Sequence, residues 1–326
     1  MQAARFTLVV MNPAIEAEDL VKLFGTHRAV DGVSLTVPTG SVYGVLGPNG
    51  AGKTTTVRML ATLLRPDGGS ARIFGHDVTR APTTVRSLVG VTGQYASVDE
   101  DLSATENLIV FSRLLGLSRR DSRRKATELL EEFGLTEAAT RPLKNFSGGM
   151  RRRLDLAASL ISSPPLLFLD EPTTGLDPRT RAQMWETIRR LVAQGSTVLL
   201  TTQYLDEADQ LCDRIAVIDH GKVIADGTAD ELKSSIGVSS LQLVLADKTQ
   251  FDDARSIIAS YLGVEVLASP ESGRLSAPMA DPSHTPEILI RLRERGIGVD
   301  EITVSKPSLD EVFMAITGHN TAEAAA

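Results

Sequence analysis

The chain has 326 residues, 42% of them hydrophobic and 23% charged, with a formal net charge of −7. That length suits two domains, and that composition a packed core, which is aliphatic because aromatics make up only 4%. The acidic balance argues against charge-driven binding to nucleic acid or to an anionic membrane, and a single cysteine, Cys212, excludes an internal disulfide and a cysteine metal cluster.

Residues 1–16 read as a tail, because their apolar run from Phe6 to Met11 is too short for a signal-peptide core. Between Ala17 and Val37 short β-like runs alternate with Gly and Asp turns. SVYGVLG, residues 41–47, is an apolar strand ending in a glycine loop, and a helix starts at Thr54. ARIFG is a further strand, and Val89 to Gly93 a short buried one that runs into Gln94.

The pattern then turns helical. Ser103 and Glu106 form a capping pair ahead of Leu108, Phe111, Leu114 and Leu115. A second helix carries Ala126, Leu129, Leu130 and Phe133 on one face, and a third, opening at Ser147, carries Leu154, Ala157, Ala158 and Ile161. Together they predict a helical subdomain over about residues 96–163. Two basic runs fall here, Arg119, Arg120, Arg123, Arg124 and Arg151, Arg152, Arg153; both read as solvated helix faces.

Strands resume with LLFLD, residues 166–170, and alternate with helices through RIAVID, residues 214–219. Apolar runs separated by helices indicate a parallel sheet covered on both faces, hence an α/β fold. Cys212, among apolar neighbours, reads as a packed core residue. Thr228 and Glu231 cap a last short helix, so the first domain spans 17–235, and SSIGVSS reads as a linker. Residues 241–318 run strand, helix, hairpin, helix, strand, helix, which predicts a small α+β, ferredoxin-like domain, followed by an alanine-rich tail, 319–326. His284 and His319, in polar surroundings, read as surface residues. No apolar run reaches the ~20 residues of a membrane-spanning helix, so any membrane role is expected to come through a partner.

Residues 47–54, GPNGAGKT, match the phosphate-loop pattern G-x-x-x-x-G-K-[ST], with a strand before and a helix after. Gly47, Gly50 and Gly52 let the backbone wrap phosphate oxygens, and the loop from Gly47 through Pro48, Asn49 and Ala51 offers its amides at a helix start. Lys53 places a positive charge at the β- and γ-phosphates, the Thr54 hydroxyl suits Mg²⁺, and Thr55 adds a hydroxyl contact to phosphate. A glycine-rich turn without a ligand is the alternative.

LLFLDEP puts Asp170 and Glu171 at the carboxyl end of a buried strand, the edge where parallel sheets bind ligands. Asp170 suits Mg²⁺, directly or through water, and Glu171 a general base toward the water that attacks the γ-phosphate. Such an acidic strand end can also be a helix-capping turn. In NFSGGMRRRLDLAASL, residues 145–160, Ser147, Gly148 and Gly149 open a helix with a serine cap and bare amides, a second anion site. One chain thus carries two phosphate-binding helix ends, more than one nucleotide needs.

The ordered set GPNGAGKTT, VTGQ, FSGGM, LLFLDEP and GLD resembles the ATP-binding cassette family over about residues 17–235, most closely its daunorubicin-resistance exporter type, whose ending PSLDEVFMAITG is similar to. The resemblance implies a P-loop cassette with a parallel core sheet, an antiparallel β subdomain and a helical subdomain. It implies a Mg²⁺-dependent ATPase on the cytoplasmic face of the membrane, working with a separate integral-membrane permease and with a second copy of itself across two ATP sites. Phe24 would stack on adenine, a core phenylalanine being the alternative. Gln94 would sense Mg²⁺ and water, Ser147, Gly148 and Gly149 would clamp the partner's γ-phosphate, and Asp177 would lie at the subunit interface. The sequence departs from the family where the switch histidine is usual: position 203 is Gln203, which donates a hydrogen bond but takes up no proton near neutral pH. The expectation is therefore that Glu171 carries the base role and Gln203 orients. A soluble cassette ATPase acting on nucleic acid or ribosomes is the alternative function.

Overall fold

The computed structural model describes residues 13–93, 98–235, 239–269, 274–305 and 307–317. The chain divides into two compact units, Met1–Thr228 and Ala229–Ala326. Alternation of apolar and polar residues builds the start of the first unit. In β1 (Ile15–Phe24), Ile15, Ala17 and Leu20 are buried; in β2 (His27–Val37), Val30, Val33, Leu35 and Val37 are. Ile15 and Glu16, expected in a tail, are paired with Val37 and Thr36 of β2, because an apolar Ile15 at 0% exposure is worth more inside the sheet than in water.

The chain continues through β3 (Val42–Leu46), α1 (Lys53–Leu60), β4 (Gly68–Ile73), β5 (His76–Asp77), α2 (Pro82–Leu88) and β6 (Val89–Thr92). Three helices follow, α3 (Ala104–Leu114), α4 (Arg119–Glu132) and α5 (Gly148–Ser159). Then come β7 (Leu166–Asp170), α6 (Pro178–Ala193), β8 (Thr197–Thr202), α7 (Leu205–Leu211), β9 (Arg214–Asp219) and β10 (Lys222–Gly227). Four strands form an antiparallel sheet in the order β2-β1-β4-β5, and six form a second sheet in the order β10-β9-β3-β8-β7-β6, in which only the β9–β10 pairing is antiparallel. The strand β10 has no counterpart in the sequence reading: its alternating half-buried, exposed pattern is that of an edge, and the turn before it takes a left-handed His220 and Gly221.

The parallel strands are buried on both faces. Leu166 and Phe168 of β7 join Tyr43, Val45 and Leu199 in one core, which includes the antiparallel sheet. Leu167 and Leu169 join Val198, Leu200 and the helical subdomain in the other. Each of these strands therefore reads as a continuous apolar run. Within the helical subdomain Ser103 and Glu106 form a capping box on α3, and Leu108 is fully buried, whereas Leu114 is 77% exposed because it lies off the face that carries Ala104, Leu108 and Phe111.

The second unit holds α8 (Ala229–Ser235), β11 (Ser240–Leu245), α9 (Phe251–Leu262), β12 (Leu267–Ser269), β13 (Arg274–Pro278), α10 (Thr285–Glu294), β14 (Val299–Ser305) and α11 (Leu309–Thr317). Its sheet order, β12-β13-β11-β14, all antiparallel, is the ferredoxin-like arrangement. The helix α8, read from sequence as the end of the first domain, belongs to this unit and packs on α11. Among the described residues no helix is long and apolar enough to cross a membrane.

Candidate functional site

The carboxyl ends of β3, β7 and β8 lie side by side in the sheet, so the loops that follow them converge. One cavity is lined by residues 48–55 of the glycine loop together with Ala29, Arg58, Glu171, Thr174 and Gln203. It therefore brings together Pro48, Asn49, Gly50, Ala51, Gly52, Lys53, Thr54 and Thr55 with the acidic strand end and the residue after β8. Gly52 can be only glycine: its φ is +103°, and a Cβ there would come within 2.5 Å of the Ala29 carbonyl oxygen.

Lys53, the first residue of α1, is 4% exposed. Its ammonium donates to the carbonyl oxygens of Gly47 at 2.6 Å and Pro48 at 3.1 Å and stands 3.9 Å from Glu171 Oε1. Burial pushes this ammonium down from the usual lysine range, against the opposing pull of the Glu171 and Asp170 carboxylates. The Thr54 hydroxyl donates to Asp170 Oδ1 at 3.1 Å, and Thr201 Oγ1 of β8 donates to the same oxygen. Asp170 is 4% exposed. A hydroxyl and a carboxylate this close are hard oxygen donors of the kind that suit Mg²⁺.

Glu171 is 7% exposed and has φ +48°, a left-handed conformation that is strained for a residue with a side chain and costs on the order of 1–3 kcal/mol. Several contacts hold it there. Its N–H donates to Thr201 O and Oγ1, and Thr174 Oγ1 donates to its Oε2 at 3.2 Å.

Among the described residues, the other sequence-derived candidates named below do not line this cavity. Phe24 ends β1 and is 52% exposed, with Lys22 Nζ 5.8 Å from its ring centre, so it is not a core phenylalanine. Ser147 caps α5, accepting from the Met150 N–H at 3.3 Å, and both it and Gly148 are exposed. Gly149 is buried against Thr180, whose side chain a Cβ would strike. Asp177 caps α6 by accepting from the Thr180 N–H and hydroxyl, and the hydroxyl bond holds its carboxyl below the usual range. Gln94 lies outside the described residues.

Three participants were not legible in the sequence. Thr201, Glu207 and Arg152 all fasten the segment around Glu171. The Glu207 carboxylate, fully buried, accepts from Thr173 Oγ1 at 2.8 Å and from Trp185 Nε1 at 3.0 Å. Arg152 corrects the expectation that Arg151–Arg153 form a solvated face: its side chain is only 14% exposed and donates to the carbonyls of Asp170, Pro172 and Gly93. Arg153 also turns inward, to Phe133 O at 3.1 Å. The helix period offered a signal, since Arg152 lies three residues before the buried Asp155 on the same face. The arginines of α4 remain exposed, Arg124 pairing with Asp121 and Glu128.

Comparison with known proteins agrees with this geometry. The sequence pattern of the ABC transporter family matches residues 30–174, and that of the DrrA1-3-like ATP-binding protein C-terminal domain matches residues 227–317. The chain is 58% identical to the daunorubicin/doxorubicin resistance ATP-binding protein DrrA of Streptomyces peucetius, over 94% of this chain and 93% of that one. It is 51% identical to the daunorubicin resistance ATP-binding protein DrrA2 of Streptomyces coeruleorubidus, over 94% and 96%. A solved ATP-binding subunit of an ABC transporter superposes with a TM-score of 0.61 at 29% identity, covering 68% of this chain and 92% of that one. These relatives favour the exporter reading over an ATPase acting on nucleic acid or ribosomes.

Proposed function

The chain belongs to the ABC transporter family as an ATP-binding, ATP-hydrolysing subunit, and from that premise we propose that it drives export of an anthracycline-like polycyclic drug through a separate membrane permease. It does so at the cytoplasmic face of the membrane, as a pair of copies with two ATP molecules between them. The observation that carries the ATPase chemistry is the cavity that joins the phosphate loop to Glu171 and Gln203. The drug class rests on what the relatives are named for.

The loop amides and the Lys53 ammonium bind the β- and γ-phosphates, and Phe24, exposed at the end of β1, stacks on adenine. Thr54 and Asp170 would hold Mg²⁺, with Gln94 as a further ligand, and the ion would supply charge neutralisation. Glu171 orients a water and takes its proton as the water oxygen bonds to the γ-phosphorus and the bond to the β–γ bridging oxygen breaks. Gln203 donates an amide N–H to the γ-phosphate and moves no proton. Catalysis is then mostly positioning and charge complementarity.

Ser147 and Gly148 are exposed at the start of α5, outside the cavity of their own phosphate loop. That supports a second copy whose ATP they clamp, with Asp177 beside the same interface. Closure on ATP and opening after hydrolysis would pass through the helical subdomain to the permease.

The test uses inverted membrane vesicles containing the chain and its membrane subunit. With MgATP the parent should accumulate doxorubicin and release phosphate. Glu171→Gln should bind MgATP yet do neither. ATP turnover without doxorubicin uptake would retire the drug assignment, and normal turnover by Glu171→Gln would retire the base assignment.

A further inference from the structure

We propose that Arg152 is a positioning residue for Glu171: its buried guanidinium clamps the carbonyls on both sides of that carboxylate-bearing residue and so fixes the geometry of hydrolysis. The inference rests on the reading of Glu171 as the base.

Arginine offers five N–H donors in a rigid plane. In Arg152, Nε donates to Pro172 O at 3.0 Å, one terminal nitrogen to Asp170 O at 2.6 Å and the other to Gly93 O at 2.6 Å. Asp170 and Pro172 are the two neighbours of Glu171, and Gly93 follows β6 at the adjoining edge of the sheet. The fork therefore spans three carbonyls on two strand ends. The terminal nitrogen on Gly93 also lies 3.7 Å from Asp155 Oδ2.

Such an arrangement does more than satisfy a buried charge. Glu171 has φ +48°, and a left-handed backbone at a non-glycine residue persists only where its surroundings over-determine it. Its N–H is held by Thr201, and Arg152 holds the carbonyls of its two neighbours, Asp170 and Pro172. The 170–171 peptide is thus anchored at both its carbonyl and its N–H, Glu171 O accepts from the Thr174 N–H at 3.3 Å, and the next carbonyl is pinned at Pro172, so the Glu171 side chain leaves the backbone in one direction. A neutral amide at position 152 could hold at most two of the three carbonyls, with a shorter reach. A lysine keeps the charge but cannot fork.

The position of Arg152 gives the clamp a second consequence. It sits on α5, the helix whose start carries Ser147 and Gly148. The same rigid helix thus touches the end proposed to clamp the partner's ATP and the backbone of this chain's own base.

The experiment measures steady-state hydrolysis of MgATP by the full chain with its membrane subunit, for Arg152→Gln, Arg152→Lys, Glu171→Gln and the double variant Arg152→Gln/Glu171→Gln. Melting temperatures are recorded in parallel. Misplacing a reacting group by an ångström costs up to about a hundredfold, so Arg152→Gln should lower kcat by about tenfold to a hundredfold. Its KM should stay within about twofold of the parent, while its melting temperature falls by several degrees because a buried hydrogen-bond network is cut. Arg152→Lys should fall between it and the parent, and the double variant should be no slower than Glu171→Gln alone.

Three results overturn the proposal: Arg152→Gln keeping more than half of the parent kcat, KM worsening in step with kcat, or the double variant losing as much again as Arg152→Gln loses alone. If Arg152→Gln does not fold, Arg152→Lys decides, a severalfold loss of kcat supporting the clamp and parent-level kcat overturning it. Normal turnover by Glu171→Gln would strike the base assignment itself, a separate and separately visible failure that takes this proposal with it.

Discussion

The two units of the chain bury different things. The first places Lys53, Asp155, Asp170, Glu171 and Glu207 at 7% exposure or less, with Arg152 nearly as covered. The core of the second, from Leu241, Leu243 and Leu245 through Phe251, Ile258, Leu275 and Leu292, is apolar, and among the described residues it buries no charged or polar side chain. Its charges stay at the surface, as in the Arg291–Glu287 pair and the stacking of Arg291 on Tyr261. Taking a charge out of water is costly unless it is paired and hydrogen-bonded. The first unit bears that cost where three strand ends meet a phosphate loop, and each charge there has named partners. The difference separates a unit organised around chemistry from one organised around packing.

The sharpest way to break this contrast is to remove charge from the first unit. Glu171→Gln should lower kcat for ATP by about a thousandfold while leaving MgATP affinity in place, because a general base contributes on the order of 10²–10⁴; equilibrium binding and phosphate release measure the two separately. Next in size is a deletion in the apolar core of the second unit. Leu243→Ala, at a site 1% exposed, should destabilise that unit by about 2–5 kcal/mol without changing KM for ATP. Urea unfolding checks it: the circular-dichroism transition should shift, while the fluorescence of Trp185, the chain's one tryptophan and a resident of the first unit, should not. Equal shifts in both signals would mean that the units unfold as one.

A smaller effect is expected where the sequence departs from the family. Gln203→Ala should reduce kcat by about tenfold, equivalent to about 1.4 kcal/mol of barrier. Gln203→His, which restores a titrating ring, should make kcat depend on pH between about 6 and 7, and a flat profile would show that position 203 does not face the γ-phosphate. Smallest is the cap of α3. The Ser103 hydroxyl and N–H hold the Glu106 carboxyl below its ordinary 4.5. A carboxyl whose folded value is depressed stabilises the fold above its unfolded value and loses that contribution as pH falls through the folded one. Ser103→Ala should therefore lower the melting temperature by a few degrees at pH 7 and by less near pH 3, about what loss of one helix cap implies.

The features that could be read from the residue order are the ones made by near neighbours. The phosphate loop is a contiguous stretch whose glycines, lysine and threonines meet the ligand from consecutive positions. The capping box on α3 and the serine cap on α5 each join residues three apart. Continuous apolar runs revealed strands covered on both faces, and the order of strands and helices in the second unit was enough for its ferredoxin-like arrangement. Edges were harder. The start of β1 at Ile15 is fixed by pairing with Val37 and Ile73, and β10, although it forms a hairpin with the neighbouring β9, is a half-exposed edge with no continuous apolar run to mark it. The end of the first unit fell before α8 because that helix finds its packing partner in α11.

What the sequence determined by itself, then, is local: a phosphate loop, helix starts and the alternation that makes a covered parallel sheet, since each follows from the geometry of a few adjacent residues. The tertiary structure alone decided which distant groups complete them. Thr201 meets Asp170 and Glu171 across 31 and 30 residues, Glu207 meets Thr173 across 34, and Arg152 reaches Gly93 across 59. In a run of three arginines the helix period sets the middle one on the face of Asp155, but nothing in the sequence names its partners, because they are strand ends that only the folded sheet brings to it.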